Sequence, residues 1–312
     1  MSSIFGTPGV GFPTRPLLAF LLALLLTLLP ACSRDNTKPA PTSTSPRIVS
    51  LAPAFTQMLA AIGRADAIVA RHAYDPWADA LAGRTLPIVG DQAGIDYEAL
   101  IAARPTHVLF QRLAGGTPDR LASLARANNW TLIDPPLLTL DEVESACRIV
   151  QTTFATPTSS TIALPLASRS TEPLFTGRVL ILYQPSPPIV LGPGSYHHEL
   201  LVRLGGNPAV TTGSPFMTLD AEDIRRNNPD AIILIKPRNP NTPAPSPAAN
   251  LSTHFGILAR LDLPAFKHNR LAVIDDETAL IPGPNLRAVA DRMKDALQAW
   301  HKTEEPSTPR AR

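Results

Sequence analysis

Apolar residues along the chain fall into short runs of two kinds, and the kinds alternate. Segments such as RIVSL at 47–51, VLILY at 179–183 and AIILI at 231–235 are short and mostly apolar, with Val and Ile prominent. They read as strands buried on both faces. Between them lie stretches with apolar positions three and four apart, several ended by glycine or proline, which read as amphipathic helices. The first half is expected to run strand 47–51, helix 54–62 stopped by Gly63, strand 67–70, a helix and strand within 95–111, helix 119–128 and strand 131–133. The second half is expected to run strand 178–183, helix 196–204, a helix and strand within 219–234, strand 271–274 and a last helix over 285–300. Such alternation predicts an α/β fold, with parallel sheets covered on both faces and ligand-facing loops at the strand carboxyl ends.

One piece of this pattern is written twice. Residues 95–110, IDYEALIAARPTHVLF, recur without a gap 124 residues later as 219–234, LDAEDIRRNNPDAIIL. Asp96 matches Asp220, Glu98 matches Glu222 and Pro105 matches Pro229, while Leu100/Ile224, Val108/Ile232 and Leu109/Ile233 keep the apolar register. Each copy reads as an aspartate capping a short helix, an acid in its first turn, a proline beyond its end and then a buried strand. A weaker echo joins 55–69, where the helix stops at Ile62-Gly63, to 197–210, where it stops at Leu204-Gly205. Between the echoes the first half carries a longer segment around RHAYDPW at 71–77. The chain thus divides into an N-terminal lobe at 47–140, a connector at 141–176, a C-terminal lobe at 177–300 and a disordered tail at 301–312. The connector begins as a helix at Asp141-Glu142-Val143, but Pro157, Pro165 and Pro173 would each interrupt it. The loop 237–250, PRNPNTPAPSPAAN, reads as a surface insertion.

Residues 1–46 belong to neither lobe. Arg15 precedes an uncharged apolar run at 17–29 that is short for a membrane span, and Leu29-Pro30-Ala31-Cys32 follows. This reads as a secretory signal peptide over 1–32 with a lipoprotein cleavage box at Cys32, then a flexible tether at 33–46. With only two cysteines in the chain, lipidation of Cys32 leaves Cys147 without a partner. No disulfide is expected, and Cys147 reads as a quiet buried thiol. A net charge of +2, with no basic cluster among aromatics, is too small to suggest a nucleic-acid partner, and none is expected. Enzyme signatures are missing. No GxSxG surrounds Ser195, Gly192-Pro193-Gly194-Ser195 lacks the P-loop lysine, and Val202 stands where HExxH needs its second histidine. His197 and His198 are helical neighbours about 100° apart and share no ligand face. Asp275-Asp276-Glu277 reads as an acidic turn. No catalysis, resident metal or cofactor is expected.

The ordered set RIVSLAPAFTQMLAAIG, the repeated IDYEALIAARPTHVLF, LGPGSYHHELLVRLGG, LDAEDIRRNNPDAIIL and IPGPNL resembles the periplasmic-binding proteins for iron chelates and cobalamin. These are the solute receptors of type II ABC importers. The resemblance spans residues 47–297. It implies two Rossmann-like lobes joined by a backbone helix, the type III periplasmic-binding fold, with the ligand held in the interlobe cleft. It also implies an exported, membrane-anchored monomer that delivers a ferric siderophore, haem or corrinoid to a permease dimer with its ATPase subunits. Glu98 and Glu222 stand where the family has one exposed glutamate per lobe for meeting permease arginines. Cleft candidates in the loops after the strands are Pro53, Phe55, His72, Tyr74, Trp77, Gln92, Gln111, Tyr183, Tyr196, His197 and Phe216, since aromatics suit a large planar ligand. Phe216 and His72 fall where cobalamin receptors have aromatic contacts, while Gln92 and Gln111 stand where those tend to have tryptophans. Arg71, Arg112, Lys236 and Arg238 are loop cations within reach of the cleft. From another class, a sensory or protein-interaction lipoprotein could use the same fold without transport.

Overall fold

A computed structural model of the chain describes residues 45–75, 77–162, 172–238 and 251–304. The signal peptide, Cys32, most of the tether and residues 305–312 lie outside them. The chain from Ser45 onward forms one compact unit.

In the first half β1 (Ile48–Ser50), β2 (Ile68–Arg71), β5 (His107–Leu109) and β6 (Thr131–Ile133) form a sheet in the order β2-β1-β5-β6, parallel throughout. Helices α1 (Pro53–Ala61), α2 (Trp77–Ala82), α3 (Tyr97–Ala102) and α4 (Asp119–Ala127) connect the strands, and a small hairpin, β3 (Gly90–Asp91) with β4 (Gly94–Ile95), precedes α3. Helix α5 (Leu140–Phe154) leads to the second half. There β7 (Arg178–Pro185), β8 (Pro188–Leu191), β10 (Phe216–Thr218), β11 (Ala231–Lys236) and β12 (Leu271–Asp275) take the order β10-β8-β7-β11-β12. The two-residue β9 (Asn207–Pro208) pairs beside β7. Strands β7, β9, β11 and β12 are parallel, as expected, but β8 returns from β7 as a hairpin and makes β8 and β10 an antiparallel edge. The second-half helices are α6 (Tyr196–Arg203), α7 (Ala221–Asn227), α8 (Pro264–Lys267) and α9 (Leu286–Glu304), with a 3-10 segment at Leu251–Arg260 before α8.

Strand alternation decides how the halves join. In β7, Val179 and Ile181 face one cluster while Leu180 and Leu182 face another; in β11, Ile233 and Ile235 oppose Ile232 and Leu234. In the first half Ile48 and Leu109 oppose Val49 and Val108. The first face of both sheets belongs to one continuous central core, whereas each outer face has a cluster of its own. Since successive side chains alternate, apolar residues at every position bury both faces.

Helix α5 runs through that central core. It packs on α1 from the first half and α6 from the second, the two helices of the weaker sequence echo. Leu140, Val143, Ala146, Cys147, Val150 and Phe154 form its buried stripe. A capping box between Thr139 and Glu142 starts it. It continues unbroken for 15 residues and stops as Ala155 turns extended, short of Pro157. The connector helix is therefore short rather than kinked. Across it, Glu199 accepts from the Leu140 N–H at 2.7 Å, and Arg203 pairs with Glu144 at 3.0 Å and with Asp141. The last helix extends past Trp300 into the expected tail, to Glu304.

Candidate functional site

A cavity of about 370 Å³ opens at the carboxyl ends of three first-half strands. Its walls are Leu51 to Pro53 after β1, His72 and Tyr74 after β2, Phe110, Gln111 and Leu113 after β5, and Gly94-Ile95 from the small hairpin. None of these side chains carries a fixed charge, so the cavity presents an apolar bowl with a few hydrogen-bonding groups. Tyr74 is 50% and Leu113 64% exposed.

The loop that brings His72 and Tyr74 here is tied down from below. Asp75 is fully buried, and one carboxylate oxygen bonds to Thr56 of α1, whose hydroxyl also lies 2.9 Å from Ser50 Oγ. Burial pushes the Asp75 pKa up, against the hydrogen bonds from Thr56 and the Ala78 N–H and the nearby Arg71. Arg71 makes a bidentate pair with Asp79, both contacts 2.8 Å, and donates to the His72 carbonyl at 3.1 Å. Its guanidinium is spent on holding the loop. That pair, with the Leu86 N–H, draws the Asp79 pKa down.

Behind the loop a second cavity of about 380 Å³ lies between the halves. Gln57, Trp77 and Leu81 line it from one side, and Arg238, Asp276, Glu277 and Thr278 from the other. Trp77 Nε1 donates to Glu277 across 3.3 Å, and Arg238 approaches the same carboxylate at 3.7 Å. Burial works against ionisation of Asp276, but bonds from Thr278 and the nearby Arg292 and Arg238 leave its pKa lowered. Lys236 sits 3.8 Å from Asp275, so Lys236 and Arg238 both have acidic partners.

Of the cleft candidates, His72, Tyr74 and Gln111 come together with Pro53 around one cavity, and Trp77 lines the other. The remainder lie elsewhere. Phe55 is fully buried in the central core, because α1 turns that face onto α5. Tyr196 is buried with its hydroxyl donating to the Leu280 carbonyl at 2.6 Å, and burial raises its pKa. His197 is fully buried beside it, its Nε2 2.8 Å from the Ala279 carbonyl. Both therefore anchor the loop that carries Asp276 and Glu277. Tyr183 packs half-buried against the central core. Gln92 is exposed at the hairpin tip, outside the cavity wall. Phe216 is 50% exposed on the edge strand β10, lining neither cavity, since Met217 takes the inward place. Sequence reasoning did not select Leu51, Ile95, Phe110 or Leu113 as wall residues. Their only signal was position at or beyond a strand end. Among the described residues no cluster of three or more metal-ligating side chains occurs, and no helix is long and apolar enough to cross a membrane.

The repeated unit has equivalent supports in the two halves. Asp96 caps α3 and Asp220 caps α7, and Glu98 and Glu222 follow as exposed first-turn acids. Arg104 and Asn228, equivalent in the repeat, both adopt positive φ, 45° and 41°. Arg47 donates to the Ala103 and Arg104 carbonyls at 2.7 and 3.0 Å, and Arg178 to the Asn228 carbonyl at 2.9 Å. The Arg47 N–H bonds to Thr106 Oγ1 at 2.9 Å, and the Arg178 N–H to the equivalent Asp230 at 2.8 Å. Glu222 forms an exposed pair with Arg226 at 3.4 Å, a contact worth little.

No protein-family model matches the chain, and no curated protein matches it in sequence. Solved structures do match. The periplasmic vitamin B12 binding protein BtuF of Vibrio cholerae is 20% identical over 82% of this chain and 98% of its own, with a TM-score of 0.57. The periplasmic heme-binding protein RhuT from Roseiflexus sp. RS-1 is 22% identical over 82% of this chain and all of its own (100%), with a TM-score of 0.58. A periplasmic heme-binding protein from Pseudomonas aeruginosa is 18% identical over 85% and 96%, again with a TM-score of 0.58. The chain has the type III periplasmic-binding fold that these proteins share.

Proposed function

We propose that this protein is a lipid-anchored solute receptor of an ABC importer, capturing a bulky metal chelate and handing it to a permease dimer. The observation that carries the reading is the apolar bowl at the carboxyl ends of β1, β2 and β5, rimmed by His72, Tyr74 and Gln111. In an open α/β sheet this is where ligands bind. Its uncharged, aromatic-edged wall suits the face of a macrocycle or the apolar shell of a chelate. Structural neighbours that bind vitamin B12 or heme support the same class. Glu98 and Glu222, one per half on equivalent helices, suit a twofold partner bearing arginines, supplying orientation and encounter rate. Cys32 would hold the receptor at the membrane, in the periplasm or at the cell surface, and the receptor acts as a monomer without catalysis.

The test is a titration of the purified chain with cyanocobalamin, ferric protoporphyrin IX and a panel of ferric siderophores. Quenching of tryptophan fluorescence is followed, with calorimetry to remove inner-filter artefacts. Saturable binding of one class, weakened by Tyr74→Ala and unchanged by Glu98→Ala, is the expected result. No binding across the panel would overturn the chelate reading.

A further inference from the structure

The Tyr74 backbone N–H points at His72 Nδ1 across 3.2 Å. A peptide N–H can only donate, so Nδ1 is the acceptor and the ring proton sits on Nε2. The imidazole edge lies against Gly90, where a Cβ would stand 3.1 Å from Cδ2 and 3.5 Å from Nε2. Glycine is what leaves room for the ring. Above it the Tyr74 ring sits 5.1 Å away, centroid to centroid, tilted by 31°. Tyr74 in turn projects its half-exposed ring at the cavity.

We propose that His72 is a positioning residue for Tyr74 and not a ligand to the chelated metal. Its Nδ1 holds the Tyr74 backbone and its ring props the Tyr74 side chain at the cavity mouth. The one nitrogen lone pair free of hydrogen is already engaged and the other nitrogen carries the proton, so neither is free to bind a metal. The assignment rests on the chelate reading of this cavity. It separates two roles that a histidine beside a tyrosine in a chelate pocket would otherwise leave open.

Asparagine provides the discriminating substitution. Its Oδ1 stands one bond beyond Cγ, as Nδ1 does, and accepting an N–H two residues ahead is the geometry of an Asx turn. His72→Asn should therefore keep Tyr74 in place while removing Nε2, and His72→Leu should remove both.

The full-length chain in detergent is used throughout. Imidazole nitrogen spectra of labelled protein, with His72 identified by its loss in His72→Asn, should show Nε2 protonated and Nδ1 bare; the reverse tautomer would overturn the proposal. With ferric protoporphyrin IX as probe, His72→Asn should bind within about 2-fold of wild type with an unchanged visible spectrum. His72→Leu should bind roughly 10-fold more weakly, the loss of about one hydrogen bond. Equal weakening in both variants, with an altered spectrum, would mark His72 as an iron ligand and sink the assignment. If wild type binds neither ferric protoporphyrin nor cyanocobalamin, the chelate reading loses its support, and the nitrogen spectra alone decide the role of His72.

Discussion

Replacing His197 with glutamine should flatten the acid side of the protein's stability curve. The imidazole has no accessible surface, its Nε2 lies 2.8 Å from the Ala279 carbonyl, and its Nδ1 has no hydrogen-bond partner among the described residues. Burial pulls its pKa from 6.5 down to about 4, against the smaller opposing effect of the Ala279 hydrogen bond. A folded-state pKa below the unfolded one means that the unfolded chain takes up the proton first. The stability contributed by neutral His197 is thus complete above pH 6.5 and is lost as pH falls toward about 4. At ~1.4 kcal/mol per pH unit of difference, the loss is on the order of 3 kcal/mol. Glutamine keeps a donor where Nε2 was and cannot titrate. Urea unfolding of wild type and His197→Gln at intervals from pH 7.5 to 4 measures the difference directly. Taking the difference between the two proteins cancels the carboxylates common to both, among them Asp79 and Asp276, whose pKa values are lowered. Wild type should lose roughly 3 kcal/mol more than the variant over this range. Parallel curves would refute the argument, because they would mean that His197 titrates in the fold as it does in water.

Asp75→Asn should have the opposite signature: burial raises the Asp75 pKa, so wild-type stability should fall as pH rises from 3.8 through that raised value, and the variant should lack this limb. Cys147, buried on α5 with its thiol pushed up to about 12, should not react with a disulfide reagent at pH 8 in the native protein and should react fully in urea. Phe55→Ala should cost about 3–5 kcal/mol in chemical unfolding, whereas Tyr74→Ala should leave stability nearly unchanged and weaken chelate binding, separating the core aromatic from the cavity aromatic. Arg104→Asn, which places at φ 45° the residue found at the equivalent position 228, should raise the urea midpoint, with a gain of about 0.5–1 kcal/mol.

The longer parallel strands β1, β2, β5, β6, β7, β11 and β12, the main helices and the internal repeat were legible in the sequence because local rules govern them, whereas the hairpin β3–β4, the antiparallel edge β8–β10 and the short β9 were not. Short runs of apolar, β-branched residues, and in both repeat copies an aspartate before the helix and a proline after it, act within a few residues, and each copy has its cap, stop and strand. Glu98 and Glu222 were legible as a pair, since the gapless repeat sets both at the same first-turn position, two residues after a capping aspartate. The cavity was only partly readable. Phe55, Tyr74, Tyr196 and Phe216 are all aromatics near strand ends, and nothing local separates them. Helix α5 crossing the central core is what buries Phe55, and the Leu280 carbonyl is what claims the Tyr196 hydroxyl. The inward turn of Met217 leaves Phe216 outside, while the Asp75 anchor leaves Tyr74 at the mouth. Local sequence sets which segments form strands and helices; long-range packing across the two sheets selects which of their residues reach the ligand, because one buried face is shared by residues far apart in the chain.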